Sequence, residues 1–163
     1  AIGQRRKYTG EPYINHPQEV VDILIQHGYY GYYNQKMLAA AWLHDVVEDT
    51  QVTLEDIKAE FGGIVARYVY FLTDISKPED GNREARKKID REHIAKAPPV
   101  VKTIKLADLI SNTRSIVEHD PGFAKVYLAE KRLLLPILEK GDILLWQIAD
   151  YLAHREIPDA NQD

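Results

Sequence analysis

Apolar residues recur at three- and four-residue spacing along almost the whole chain, and no stretch alternates apolar and polar residues between hairpin turn signals. The pattern therefore predicts an all-α protein. Pro17 is a first-turn proline of a helix carrying Val20, Val21 and Leu24, which Gly28 ends, and the cluster Tyr29 to Tyr33 is a loop. Asn34 is placed to cap a helix running through Met37, Leu38, Ala41 and Trp42 to about Glu48. Thr53 with Asp56 resembles a capping box for a short helix ending near Gly62, and a further helix fits Ile64 to Leu72. Beyond a turn-like stretch from Lys77 to Asn82, a highly charged helix spans Arg83 to about Lys96, and Pro98 and Pro99 then open a helix from Val100 to about Val117. Asp120 and Pro121 start a long helix through Leu138, with Gly141 as its left-handed C′ residue. Asp142 caps a last helix to about His154, and the tail from about residue 157 is expected to fray. The pattern is already under way at Ala1, so an N-terminal segment is expected ahead of it.

Composition narrows the class. A chain of 163 residues, 45% hydrophobic and 28% charged, with no internal repeat and no low-complexity linker, reads as a single domain over 1–163. The absence of cysteine excludes disulfides, a thiolate zinc site and a cysteine nucleophile, and makes a reducing cytoplasm the expected location. No apolar run or signal-peptide pattern suggests a membrane. With 21 Lys and Arg against 25 Asp and Glu, a broad nucleic-acid-binding surface is not expected. A small anionic substrate would need a local basic cluster or a metal ion.

The densest chemistry is His44, Asp45, Glu48 and Asp49. On a continuous helix at ~100° per residue, His44 shares an edge with Glu48, and Asp45 with Asp49. Three carboxylates and an imidazole at that spacing repel one another unless a cation or a solvated cleft compensates them; the plainer reading is a solvated helix end. Asp108 lies among Ile104, Leu106, Ala107, Leu109 and Ile110, so it requires a partner, which is either a site or simply Lys105 or Arg114. Asn112 and Ser115 continue a polar stripe from it. His16 precedes a helix, where a histidine is commonly a cap or a packed side chain. Taken together, His16, His44, Asp45 and Asp108 are the mixed nitrogen and oxygen set suited to Mn²⁺, Fe²⁺, Co²⁺ or Zn²⁺. The basic helix containing Arg83 and Lys87 is either a solvated face or a clamp for distal phosphates, with those two residues as the preferred pair. The tyrosine cluster reads as a packed loop or an oligomer contact before a base-stacking platform.

The motifs also carry a resemblance. Gln4-Arg5-Arg6-Lys7, Gly10-Glu11-Pro12-Tyr13-Ile14-Asn15-His16-Pro17, Leu43-His44-Asp45-Val46-Val47-Glu48-Asp49-Thr50, and Lys105-Leu106-Ala107-Asp108 with Asn112 follow in the order of one family. From residue 4 to about residue 130 the chain resembles the HD-domain metal-dependent phosphohydrolases, specifically the hydrolase half of Rel/SpoT-type alarmone enzymes and the small single-domain alarmone hydrolases. The resemblance implies an HD-domain helical bundle with His16, His44, Asp45 and Asp108 as ligands of manganese, and Glu48 and Asp49 as the pair that activates water. It implies substrate contacts from Arg6, Lys7, Asn112 and Tyr127, with Ser115 where the family has a small hydroxyl residue. The expected reaction removes the 3′-pyrophosphate of guanosine tetra- or pentaphosphate. The alternatives are the same chemistry on another nucleotide, such as the 2′-phosphate of NADPH or a nucleoside phosphate, and a catalytically silent nucleotide-sensing module, against which Glu48 and Asp49 argue. The expected partner is a small-molecule nucleotide, with no nucleic acid or membrane; the oligomeric state is left open. Ala1 stands where many relatives carry a histidine, which is not one of the four ligands.

Overall fold

The computed structural model describes residues 14–156, and these are helical with no strand among them. In order they form α1 (Asn15–Gln26), a 3₁₀ turn (Tyr32–Asn34), α2 (Gln35–Leu43), α3 (Val46–Asp49), α4 (Leu54–Phe61) and α5 (Gly63–Leu72). A second 3₁₀ turn (Pro78–Asp80) leads to α6 (Arg83–Ala95), α7 (Pro99–His119), α8 (Pro121–Leu134), a 3₁₀ segment (Leu135–Leu138) and α9 (Ile143–His154). No described helix is long and apolar enough to cross a membrane.

α7 is the axis of the bundle. It packs against α1, α8 and α9 and touches α2 and α5. Val101, Ile104, Leu106, Ala107, Leu109 and Ile110 are almost wholly buried on it, because a helix surrounded by others must be apolar on most of its circumference. Val20 and Leu24 from α1, Ala40 and Ala41 from α2, Val69 from α5 and Leu145 and Ala149 from α9 complete that core. Each fully buried Leu or Ile contributes about 1.5–3 kcal/mol over its exposed state.

Three of the expected caps form. The Thr53 hydroxyl accepts from Asp56 N–H and the Asp56 carboxylate from Thr53 N–H, while Asp120 caps α8 through Phe123 N–H and Asp142 caps α9 through Leu145 N–H. Gly28, just beyond α1, takes φ +90°, a region that favours glycine.

Four sequence expectations are corrected. The helix expected to run from Asn34 to Glu48 is two helices, α2 and the single turn α3, with His44 and Asp45 as the turn between them. Asn34 stands at the N-cap of α2, but its side chain donates to the Tyr30 carbonyl instead of capping. The helix expected to reach Leu138 leaves α geometry after Leu134, since Pro136 lacks an N–H and its ring clashes with the carbonyl four residues back. Gly141 is not a left-handed cap, as it is absent from the positive-φ glycines; its hydrogen faces α7, where a Cβ would lie 2.9 Å from Leu106 Cδ1 and 3.1 Å from backbone atoms of Lys102 and Thr103. In the tyrosine loop only Tyr29 is anchored, donating to Asp142 at 2.6 Å, and Tyr30, Tyr32 and Tyr33 are exposed. The expected fraying from residue 157 lies outside the described residues.

Candidate metal centre

The break between α2 and α3 positions the chemistry. Adjacent residues on a regular helix diverge by ~100°, so His44 and Asp45 could not face one point from within it. At the turn they do: His44 Nε2 lies 3.0 Å from Asp45 Oδ2. α1 and α7 supply the other two residues. His16 Nε2 is 3.0 Å from Asp108 Oδ1 and 3.9 Å from Asp45 Oδ2, and His44 Nε2 is 3.4 Å from Asp108 Oδ1. One donor atom each from His16, His44 and Asp108 falls within 4.8 Å of the others, and all three residues are buried.

The hydrogen bonds orient these groups. His44 Nδ1 is 2.7 Å from the Ala41 carbonyl oxygen, which can only accept, so Nδ1 carries a hydrogen and Nε2 is turned inward, where its lone pair is available once the ring is neutral. Nε2 is buried with no hydrogen-bond partner despite its two carboxylate neighbours. That arrangement fits a metal ligand, since a buried acceptor without a donor is costly unless something positive meets it. The two carboxylates call for positive charge at the same point: burial opposes charging His44, yet Asp108 and Asp45 outweigh it and hold its pKa well above the ordinary imidazole value.

Asp108 has the partner its apolar surroundings required, Lys105, and also lies within the histidine cluster. Its Oδ2 accepts from Lys105 at 2.8 Å, while Oδ1 faces the imidazoles and also accepts from Asn112 at 2.8 Å. Burial works against the Asp108 charge, but Lys105 and the two histidines hold its pKa well below the carboxylate range. Arg114, the other expected partner, is exposed.

Glu48 and Asp49 do not share a buried edge with His44, because the helix that would have aligned them is broken; both reach the surface of α3. Glu48 Oε1 accepts from Asp74 N–H at 2.6 Å, which ties α3 to the α5–α6 connection. Partial desolvation of its carboxylate, with the charges of Asp74 and Asp45 nearby, pushes the Glu48 pKa up to about 7 against the pull of that N–H and of Lys105. A carboxyl titrating near neutrality beside a ligand cluster is suited to taking a proton.

The remaining candidates divide. Lys87 lines a cleft together with Lys105, Asp74 and Lys131, and its Nζ is 3.4 Å from Asp74 Oδ2. Arg83, its expected partner, points instead to the rim, bonded through Nε and Nη2 to Glu130 and lying 5.3 Å over the Phe123 ring. Tyr127 is buried, and burial with the Asp108 charge raises its pKa. Ser115 is not drawn into the cluster by any side-chain bond shown; its carbonyl accepts from His119. Arg6 and Lys7 lie outside the described residues. Ser111 and Glu19 escaped the sequence reading: His16 Nδ1 is 3.0 Å from Ser111 Oγ, which donates to Glu19 Oε2 at 2.6 Å. Ser111 lies three residues after Asp108 on the same face of α7, a spacing that was visible.

Comparison with known proteins agrees with this geometry. Guanosine-3′,5′-bis(diphosphate) 3′-pyrophosphohydrolase MESH1 of Homo sapiens is 40% identical over 117 residues, covering 69% of this chain and 61% of its own. The probable guanosine-3′,5′-bis(diphosphate) 3′-pyrophosphohydrolase of a Synechocystis strain is 33% identical over 153 residues, covering 90% of this chain and 20% of its own. The chain thus spans less than two thirds of the curated relatives it matches. The solved structure of a metazoan ortholog of SpoT that hydrolyses ppGpp superposes with a TM-score of 0.78 at 31% identity, over 91% of this chain and 84% of that one. The HD domain family model matches residues 1–133, which take in α1, the His44–Asp45 turn and Asp108, and the chain belongs to the HD-domain family.

Proposed function

We propose that this chain is a manganese-dependent hydrolase that removes the 3′-pyrophosphate from guanosine tetra- or pentaphosphate, yielding GDP or GTP and pyrophosphate. The observation that carries the reading is the inward-facing His44 Nε2, buried without a hydrogen-bond partner between two carboxylates and beside a second imidazole. The relatives named as 3′-pyrophosphohydrolases support the choice of substrate. His16, His44, Asp45 and Asp108 hold the metal, and the chain acts as a single domain in the cytoplasm. A divalent ion, when bound, lowers the pKa of a water it touches and polarises a phosphoryl oxygen.

The residues of the chain do the rest. Glu48, with Asp49 beside it, takes a proton from the attacking water and aims its oxygen at phosphorus, in line with the bond to the ribose 3′-oxygen. The new phosphorus–oxygen bond forms as that bond breaks, and the 3′-oxygen leaves to be protonated as a hydroxyl. Lys105 holds Asp108 ionised and contributes positive charge beside the reacting phosphate. Asn112, Ser115 and Tyr127 from α7 and α8, with Lys87 and Arg83 from α6 and Arg6 and Lys7 ahead of α1, bind the nucleotide.

The test is turnover of the purified protein with Mn²⁺ against guanosine tetraphosphate, NADPH and simple nucleoside phosphates, with products identified by phosphorus NMR. Pyrophosphate and GDP from the first substrate are expected. Faster release of inorganic phosphate from NADPH, or no turnover of guanosine tetraphosphate, refutes the assignment.

A further inference from the structure

The cleft beside the metal centre shares two walls with it: Lys105, bonded to Asp108, and Asp74, whose N–H is bonded to Glu48. Its charges are unevenly matched. Of the carboxylates lining it, Glu130 is held by Arg83 from the rim, Asp90 is committed to the N–H groups of Ile75 and Ser76 and to the Ser76 hydroxyl, and Asp74 pairs with Lys87. Lys105 is taken by Asp108. Arg91 from α6 and Lys131 from α8 also line the cleft, and among the described residues no carboxylate is paired with either. The Lys131 Nζ sits 4.5 Å over the Tyr127 ring, which fixes the ammonium by a cation–π contact without neutralising it.

From this arrangement we propose that Lys131, seated on Tyr127 and opposite Lys87, is a subsite residue for the 5′-polyphosphate of the nucleotide, the phosphate group that is not cleaved. The proposal rests on the hydrolase reading above and deepens it. A substrate with two polyphosphate arms brings more negative charge than one divalent ion balances. The arm away from the cluster requires cations at a cleft adjoining it, and Lys131, like Arg91, is a cation there with no carboxylate partner among the described residues. Burial and the neighbouring charges of Lys105 and Lys87 push the Lys131 pKa down to about 8 against the opposing pull of Asp108 and Glu130, so an incoming anion stabilises its charged form. Lys131 was not among the sequence candidates, because it lies four residues beyond Tyr127 in a helix with no motif around it.

The experiment is calorimetric titration of the manganese-loaded full chain with GDP, which carries only the 5′-polyphosphate, and with guanosine, which carries none. Lys131→Gln should weaken GDP about tenfold, equivalent to about 1.4 kcal/mol, and leave guanosine unchanged. Lys131→Arg should stay within about threefold of wild type, and Lys131→Met, which keeps the apolar stem on Tyr127, should reproduce the Gln result if the Gln variant folds poorly. GDP affinity unaltered in the Gln and Met variants, equal losses for GDP and guanosine, or no GDP binding by wild type overturns the subsite. Wild-type turnover of guanosine tetraphosphate with Lys131-independent GDP binding removes the subsite and leaves the hydrolase. Lys131-dependent GDP binding without turnover does the reverse.

Discussion

Replacing Glu48 by Gln tests the link between geometry and chemistry most directly. The amide oxygen of Gln can still accept from Asp74 N–H, so the tie between α3 and the α5–α6 connection survives and only the capacity to take a proton is lost. With a pKa of about 7, Glu48 is ionised to about 9% at pH 6 and about 91% at pH 8, so its availability as a base changes about tenfold across that interval. A bound dication draws the value lower, which moves the acid limb of the loaded enzyme down the pH scale without changing its slope. The assay is a pH profile of kcat/KM from pH 5 to 9 for wild type and variant at saturating Mn²⁺, beside an NMR titration of Glu48 in the metal-free protein. Wild type should lose activity toward acid. Glu48→Gln should lose at least ~10²-fold at pH 8 and flatten the limb that Glu48 causes. A variant with near-normal turnover, or with the wild-type limb intact, would show that another group takes the proton.

Other expectations rest on single contacts. His44→Ala should abolish retained metal, measured by elemental analysis, and with it a stabilisation of about 2.7 kcal/mol at free metal one hundred times Kd; because Asp108 and Asp45 raise the His44 pKa, wild-type metal affinity should also fall as pH drops and protons compete for Nε2. Equal metal content in variant and wild type would remove His44 from the ligand set. Ser111→Ala breaks the chain from His16 through Ser111 to Glu19 and should weaken metal binding about 10–100-fold with Ser111→Thr near normal, read by competition with a chelating dye. Gly141→Ala forces a Cβ against Leu106, which is fully buried, and against the α7 backbone, so it should cost about 1–3 kcal/mol in urea unfolding with an unchanged m value. An unaltered midpoint would show that α7 and the α8–α9 turn are not in the close contact described.

The sequence by itself determined the elements whose causes are local. Capping pairs such as Thr53 with Asp56, the proline at the head of α8 and the apolar spacing of α5 and α9 act within a few residues, so helix positions could be read from them. It also offered the chemistry, because His16, His44, Asp45 and Asp108 are by type the mixed nitrogen and oxygen set suited to a divalent cation. What only tertiary structure decided depends on atoms far apart in the chain. His16 and Asp108, separated by 92 residues, meet because α1 packs on α7. The break at His44–Asp45 has no proline or glycine to announce it; it is held by the burial of His44 and its bond to Ala41, which a helical wheel cannot express. Gly141 looked like a helix stop, yet its place requires glycine because the α8–α9 turn approaches α7 too closely for a methyl group. The Lys131 ammonium acquired significance only when folding assigned the neighbouring carboxylates to other cations, since charge pairing is settled by distance in space, and spacing along the chain records that distance only within a helix.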